Sequence, residues 1–337
     1  MYNMSYISGL CSSFPTHQIS QSQVEEFSKN VFKDKHIVNL LKVYKNSGVK
    51  KRYLVEDINW YTEKHSWKER NSLFKKHSLG LLKECISSTL EKTNKSPSDI
   101  SGIVLINSTG IITPTLDAEL INYFNFPSQT KRLPIFGYGC AGGVLGLSRA
   151  IDMYKSSLKT ILVCCVEICS LTFRPQIFSK ANIVSTALFG DGAVSFLIGN
   201  KGDCKILKSS EYTWKNTLNL MGWTIENDSL GVLFDKSIPE FISSKLKTVI
   251  DDFTSNNIDG FIMHPGGSKI INSYREIFSD HNSLSKAREV LENYGNISSV
   301  TVFLVLMTFL NDPISRGNFL MAALGPGFTA GLAEVKI

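Results

Sequence analysis

The sequence predicts a large α/β protein. Apolar runs of strand length alternate with longer stretches whose apolar residues recur at helical spacing, and Gly or Pro punctuates the gaps. The chain has 337 residues, 43% hydrophobic and 20% charged, enough for a large buried core and too long for one small domain.

Gly102 to Asn107 reads as a strand, and Asp117 to Phe124 as the helix that follows it. Leu133 to Phe136 is a short apolar run with the signature of a buried strand. After it, Val144, Leu147, Ile151 and Tyr154 place a helix over Ala141 to Tyr154. Thr160 to Glu167 looks like a central strand, and Ala193 to Ile198 like another behind an Asp191-Gly192 turn. A second series starts near Cys204. Its helices are Ile238 to Phe253 and Leu284 to Asn293, its strands Phe261 to His264 and Asn318 to Leu324, and Ile297 to Leu310 reads as a buried helix. No Pro- or Ser-rich linker divides the chain; Gly199 to Asp203 is the best boundary, giving halves of 1–200 and 201–337. There is no strong internal sequence repeat.

Composition narrows the function. Lys+Arg of 36 against Asp+Glu of 30 leaves a formal charge of +6 with no dense basic block, which argues against a nucleic-acid binder. Seven cysteines form no even framework and point to a reducing, cytoplasmic setting. Cys164, Cys165 and Cys169 lack the histidine or further cysteine that would complete a zinc pattern, so no metal is expected. The N-terminal residues lack the pattern of a signal peptide, and the longest apolar run, Val300 to Leu310, is too short to span a bilayer. Peripheral membrane contact is the most that remains.

Three glycine-rich segments carry the chemistry. Cys140 lies in Gly137-Tyr-Gly-Cys-Ala-Gly-Gly-Val144, at a strand-to-helix turn where unpaired amides and the helix dipole favour a thiolate. His264 ends a strand and is followed by Pro265-Gly266-Gly267; Asn296 follows Tyr294-Gly295 and precedes the apolar helix. Each has a bland reading as well: a small buried thiol, a core histidine, and a helix N-cap. Together they offer a thiol that can carry an acyl group and two donors that can stabilise an enolate or oxyanion, the chemistry of decarboxylative carbon–carbon bond formation.

These segments resemble those of type III polyketide synthases, the chalcone synthase-like branch of the thiolase superfamily. The likeness extends to Glu167-Ile-Cys-Ser-Leu-Thr-Phe-Arg174, Ala187-Leu-Phe-Gly-Asp-Gly-Ala193 and Leu324-Gly-Pro-Gly-Phe-Thr329, and more loosely to Ile7 through His17 and Lys50-Lys-Arg-Tyr53. The Gly-Tyr-Gly-Cys-Ala-Gly-Gly form is closest to bacterial alkylpyrone and alkylresorcinol synthases. The resemblance implies a thiolase-like fold of two duplicated halves in a layered αβαβα arrangement, and a homodimer with Thr113-Pro114 near the contact. It implies that an acyl-CoA starter, of medium or long chain, is carried on Cys140 and extended by malonyl-CoA, with His264 and Asn296 assisting. No cofactor is implied beyond the coenzyme A thioesters used as substrates.

By the same resemblance Phe189 stands between the coenzyme A tunnel and the initiation cavity, although a core aromatic before a tight turn reads equally well. Phe234 is its candidate partner. Cys169 and Thr172 fall at cavity-lining positions, Gly266 and Gly267 beside the histidine, and Gly325, Pro326 and Gly327 in a loop closing the cavity. The basic stretch Lys42, Lys45, Lys50, Lys51, Arg52 is the candidate for the coenzyme A phosphates, and Lys269 stands near the expected entrance. Two rivals stay open: a β-ketoacyl-acyl carrier protein synthase of type III, condensing once, and a catalytically silent acyl-binding relative.

Overall fold

The structure, a computed structural model, describes residues 4–32, 41–254, 257–278 and 282–337. The chain opens with β1 (Ser5–Ser13), β2 (His17–Ser20), α1 (Gln21–Val31), α2 (Lys42–Asn46) and β3 (Lys51–Leu54). Ser20 caps α1 through a reciprocal box with Gln23, and Ser66 caps α3 (Trp67–Thr93) likewise with Glu69. Then come β4 (Gly102–Asn107), α4 (Leu116–Phe124), β5 (Lys131–Phe136), α5 (Gly142–Ser157), β6 (Ile161–Ile168), α6 (Lys180–Leu188) and β7 (Asp191–Gly199). The second half carries β8 (Cys204–Thr213), a hairpin of β9 (Met221–Ile225) and β10 (Leu230–Phe234), α7 (Ile238–Phe253) and β11 (Gly260–Met263). It ends with α8 (Ser268–Ile277), α9 (Asn282–Tyr294), α10 (Thr301–Leu310), β12 (Asn318–Gly325) and β13 (Thr329–Lys336).

Among the described residues a nine-stranded mixed sheet runs in the order β11-β12-β13-β8-β1-β7-β6-β4-β5. β4 pairs in parallel with both β5 and β6, as β11 does with β12. The apolar runs are explained by burial on both faces. Along β4, Val104 and Ile106 face a core shared with Val144, Leu147 and Ile151 of α5 and Phe303 of α10, whereas Ile103 and Leu105 face Phe74, Leu82 and Ile86 of α3. In the second half, Met321 and Ala323 turn to the shared core while Leu320 and Ala322 turn to Ile242 and Leu246 of α7 and Tyr274 of α8. The one sheet folds around α5 and α10, so that its two ends supply separate layers and the order is α3, half-sheet, α5 with α10, half-sheet, α7 with α8. No helix among the described residues is long and apolar enough to cross a membrane.

Three local expectations need correction. β5 is not a buried strand: it lies at the sheet edge, half-exposed, with Phe136 51% exposed. Asp191 and Gly192 form no turn but begin β7, because the buried Asp191 carboxylate accepts from the Val55 and Ser170 amides and holds the strand against its neighbours. The apolar helix starts at Thr301, after a 3-10 turn over Ser298–Val300.

Candidate active site

The peptide between β5 and α5 turns sharply at Gly137 and Gly139, both at positive φ, and Gly139–Ala141 forms a 3-10 turn leading into the helix. A side chain at Gly139 would also collide with Pro326, since a Cβ there would lie 2.8 Å from the proline Cδ. The turn is tied down by the Gly139 N–H, which donates to Ser108 Oγ at 3.0 Å. Cys140 is therefore fixed where the Gly325-Pro326 turn packs against it.

His264 extends the parallel pairing of β11, its N–H donating to Ala322 O at 2.9 Å. Its carbonyl accepts from the Tyr274 hydroxyl at 3.2 Å. The backbone is held and the ring is not: neither ring nitrogen has a hydrogen-bond partner, although the residue is only 3% exposed.

Asn296 is held at both its backbone and its side chain. Its N–H donates to Leu188 O at 2.7 Å, its carbonyl accepts from Gly190 N at 3.1 Å, and the Phe189 and Asn296 backbones meet in a parallel bridge. Oδ1 accepts the Ser298 amide at 2.8 Å, which assigns the other end of the carboxamide as the donor. Nδ2 reaches Gly266 O at 3.4 Å and lies 3.9 Å from the Cys140 sulfur. Asn296 is not the helix N-cap, a position held by Val300; its side chain organises the turn before the helix while facing the thiol.

Burial dominates the electrostatics. Desolvation pushes the Cys140 thiol up to about 12, overcoming hydrogen bonds from Ser298 and Asn296 that favour the thiolate. Burial thus works against the thiolate that the position at a helix terminus was expected to favour. Burial alone takes His264 down to about 3, so the imidazole is neutral. Close by, the buried carboxyl of Glu167 is pushed up to about 7 by desolvation, against hydrogen bonds from Ser299, Ser108 and Thr109.

Cys140, His264 and Asn296 line one cavity of about 470 Å³, with Gly266, Gly267 and Phe234 in its wall as anticipated. Its other walls come from Val43 and Asn46 of α2, Leu188 of α6, Ile238 and Ile242 of α7, Tyr274 of α8, and Leu324 and Phe328 around the turn. Gly325, Pro326 and Gly327 support the cavity without lining it.

The remaining candidates are placed differently. Phe189, Cys169 and Thr172 border a second, small cavity of about 50 Å³ rather than the one holding the cysteine. Phe189 stands at the divide, its ring centroid 5.8 Å from Phe234 and 6.1 Å from Trp223, both edge-on. Lys42 and Lys45 are exposed on α2 and do not line the cavity, although Val43 and Asn46 on the same helix do. Lys50 pairs with Glu292 at 2.6 Å. Arg52 is 1% exposed and unavailable to a phosphate at the surface. The lysines that do line the cavity are the exposed Lys180, Lys236 and Lys269, beside Asp235. Lys180, Lys236 and Tyr274 were not found from sequence.

Comparison with known proteins decides the family. The profile of the chalcone and stilbene synthases, N-terminal domain, matches residues 4–202, and that of the C-terminal domain matches residues 204–332. The chain belongs to the chalcone and stilbene synthases. It is 34% identical to a candidate chalcone synthase of Bacillus subtilis (strain 168), covering 98% of both chains. It is 28% identical to the phloroglucinol synthase of Pseudomonas fluorescens, covering 95% of each. Among solved structures it is similar to 1,3,6,8-tetrahydroxynaphthalene synthase from Streptomyces coelicolor A3(2), a bacterial type III polyketide synthase, with a TM-score of 0.92 at 25% identity over 98% of this chain and 99% of that one. The C-terminal type III polyketide synthase domain of Steely1 from Dictyostelium gives the same TM-score at 26% identity, covering 99% of each. The fold is thus the thiolase-like fold of type III polyketide synthases, its halves layered about α5 and α10.

Proposed function

We propose that this type III polyketide synthase loads an acyl group from coenzyme A onto Cys140 and extends it iteratively with malonyl-CoA. The observation that carries the reading is the meeting of a thiol, a neutral imidazole with two unpartnered nitrogens and an oriented carboxamide donor in one buried cavity. In loading, Cys140 sulfur attacks the thioester carbonyl, its proton passes to the free nitrogen of His264, and coenzyme A leaves with that proton. Because burial disfavours both charged partners, proton transfer accompanies attack rather than preceding it. In extension, malonyl-CoA loses carbon dioxide and its bond electrons form an enolate, whose oxygen receives hydrogen bonds from Asn296 Nδ2–H and the His264 N–H. Removing one such donor typically lowers the rate about 100- to 1000-fold. The enolate carbon attacks the Cys140 thioester, a carbon–carbon bond forms, and the cysteine leaves to accept the lengthened chain again.

Two further features support a reading of the substrates. Lys180, Lys236 and Lys269 suit the phosphates of coenzyme A. The apolar wall of Ile238, Ile242, Ile270, Leu324 and Phe328 suits an alkyl starter, leading to alkylpyrone or resorcinol-type products. The active species is a homodimer meeting at the edge strand β5, where Phe136 and the nearby Ile111 leave apolar surface exposed.

The test is mass spectrometry of products from malonyl-CoA with a panel of acyl-CoA starters, beside Cys140→Ala. Cysteine-dependent triketide or tetraketide pyrones or resorcinols are expected; a single condensation requiring acyl carrier protein, or no cysteine-dependent product, would overturn the proposal.

A further inference from the structure

Arg52 has no part in the chemistry above, yet it is among the largest fully buried side chains of the protein. Its guanidinium is wrapped by main-chain oxygens at the end of α6. Nη1 donates to Thr186 O at 2.6 Å and Phe189 O at 3.2 Å; Nη2 donates to Ala187 O at 3.1 Å and to the Gln21 carboxamide oxygen. A cation among the last carbonyls of a helix meets the negative end of its dipole. Here it also fixes where the chain goes next. Residues 188–190 leave the helix and pair with the peptide of Asn296, through Asn296 N–H to Leu188 O and Gly190 N–H to Asn296 O.

The contact with the Asn296 loop is close on both sides. A Cβ on Gly190 would lie 3.3 Å from Arg52 Cβ and 2.5 Å from Tyr294 O, and one on Gly295 would lie 3.6 Å from Arg52 Cβ and 2.6 Å from Leu188 O. The stem of Arg52 therefore packs against the two glycines through which residues 190 and 295 approach. By contrast, Cys140 is held by Ser108 and the Gly325-Pro326 turn, and His264 by β12 and Tyr274. Neither of these holds involves a hydrogen bond to α6.

We infer that Arg52 is a positioning residue for Asn296: by clasping the carbonyls of Thr186, Ala187 and Phe189 it sets the peptide on which Asn296 rests, and so aims the carboxamide at the enolate oxygen. The inference rests on the reading above, and divides the reaction. Loading of Cys140 uses the thiol and the imidazole, whereas decarboxylation of malonyl-CoA uses Asn296.

The experiment compares Arg52→Lys and Arg52→Met with wild type in two assays on the full-length protein: acyl transfer from an acyl-CoA to Cys140, followed by intact-mass spectrometry, and carbon dioxide release from malonyl-CoA. Misplacing a catalytic group by about 1 Å can cost about 100-fold. Decarboxylation is accordingly expected to fall about 100-fold in Arg52→Met with loading within threefold of wild type, and Arg52→Lys, which keeps the stem and one cation, to recover part of the loss. Equal losses in both assays, or no loss in either, would overturn the inference. So would failure of both variants to fold, which would make Arg52 a residue of the fold alone. Wild type that loads Cys140 but releases no carbon dioxide would instead refute the proposed function.

Discussion

Glu167 accepts a 2.6 Å hydrogen bond from Ser299, three residues beyond Asn296. Its other oxygen accepts from the Ser108 amide and Thr109 hydroxyl, each at 2.9 Å, and Ser108 Oγ in turn holds the Gly139 amide. One buried carboxyl thus joins the loop of the candidate nucleophile to the loop of the carboxamide.

That position has a measurable effect on stability. Burial raises the folded-state Glu167 carboxyl to about 7, and that of Asp191 equally, so the native state holds protons that the unfolded chain has released. Stability therefore falls as pH rises from the ordinary carboxyl range through about 7, by on the order of 3 kcal/mol per group. Glu167→Gln should be less stable at pH 5, having lost acceptors, yet show a shallower decline in melting temperature between pH 5 and 8. Parallel curves for variant and wild type would refute the assignment.

The raised thiol predicts slow alkylation at neutral pH. With Cys140 pushed up to about 12, its thiolate fraction rises tenfold per pH unit, and iodoacetamide labelling followed by peptide mapping should climb without a plateau from pH 7 to 9. A plateau below pH 8 would mean that thiol and imidazole are already an ion pair.

Ile242, 1% exposed, presents its side chain to the apolar wall from α7. Ile242→Trp should fill that space and lower kcat/KM for a ten-carbon acyl-CoA at least tenfold relative to acetyl-CoA, at about 1–3 kcal/mol of overpacking. An unchanged preference would place the alkyl chain elsewhere.

Replacing Lys180, Lys236 and Lys269 together by Ala should raise KM for coenzyme A thioesters severalfold with kcat unchanged, and flatten the dependence of KM on salt. A fall in kcat at constant KM would remove these lysines from substrate binding.

The residues legible in sequence were those whose local chemistry is unusual. Cys140, His264 and Asn296 each lie beside glycines at the end of an apolar run, and each reaches the cavity from such a terminus. The basic residues chosen on α2 do not line the cavity because that helix has two faces. Val43 and Asn46, three apart, share the cavity side, which turns Lys42 and Lys45 away. Tyr274 had a faint signal, four residues after Ile270 on the apolar side of α8, but helical spacing cannot say which contact that side makes. β5 was read as buried because a four-residue apolar run does not reveal its place in a sheet; Lys131, Arg132 and Pro134 within the same strand were the edge marks overlooked.

β1 occupies the centre of the nine strands, between β7 and β8. It is made long before its partners, which begin at Asp191 and Cys204. On a ribosome this strand waits for β7 to be synthesised through Gly199 before one edge is satisfied, and for β8 through Thr213 before the other is. The first half-sheet can close on β7 without the second half, and β1 then keeps one edge open as the template on which β8 and the strands after it are laid.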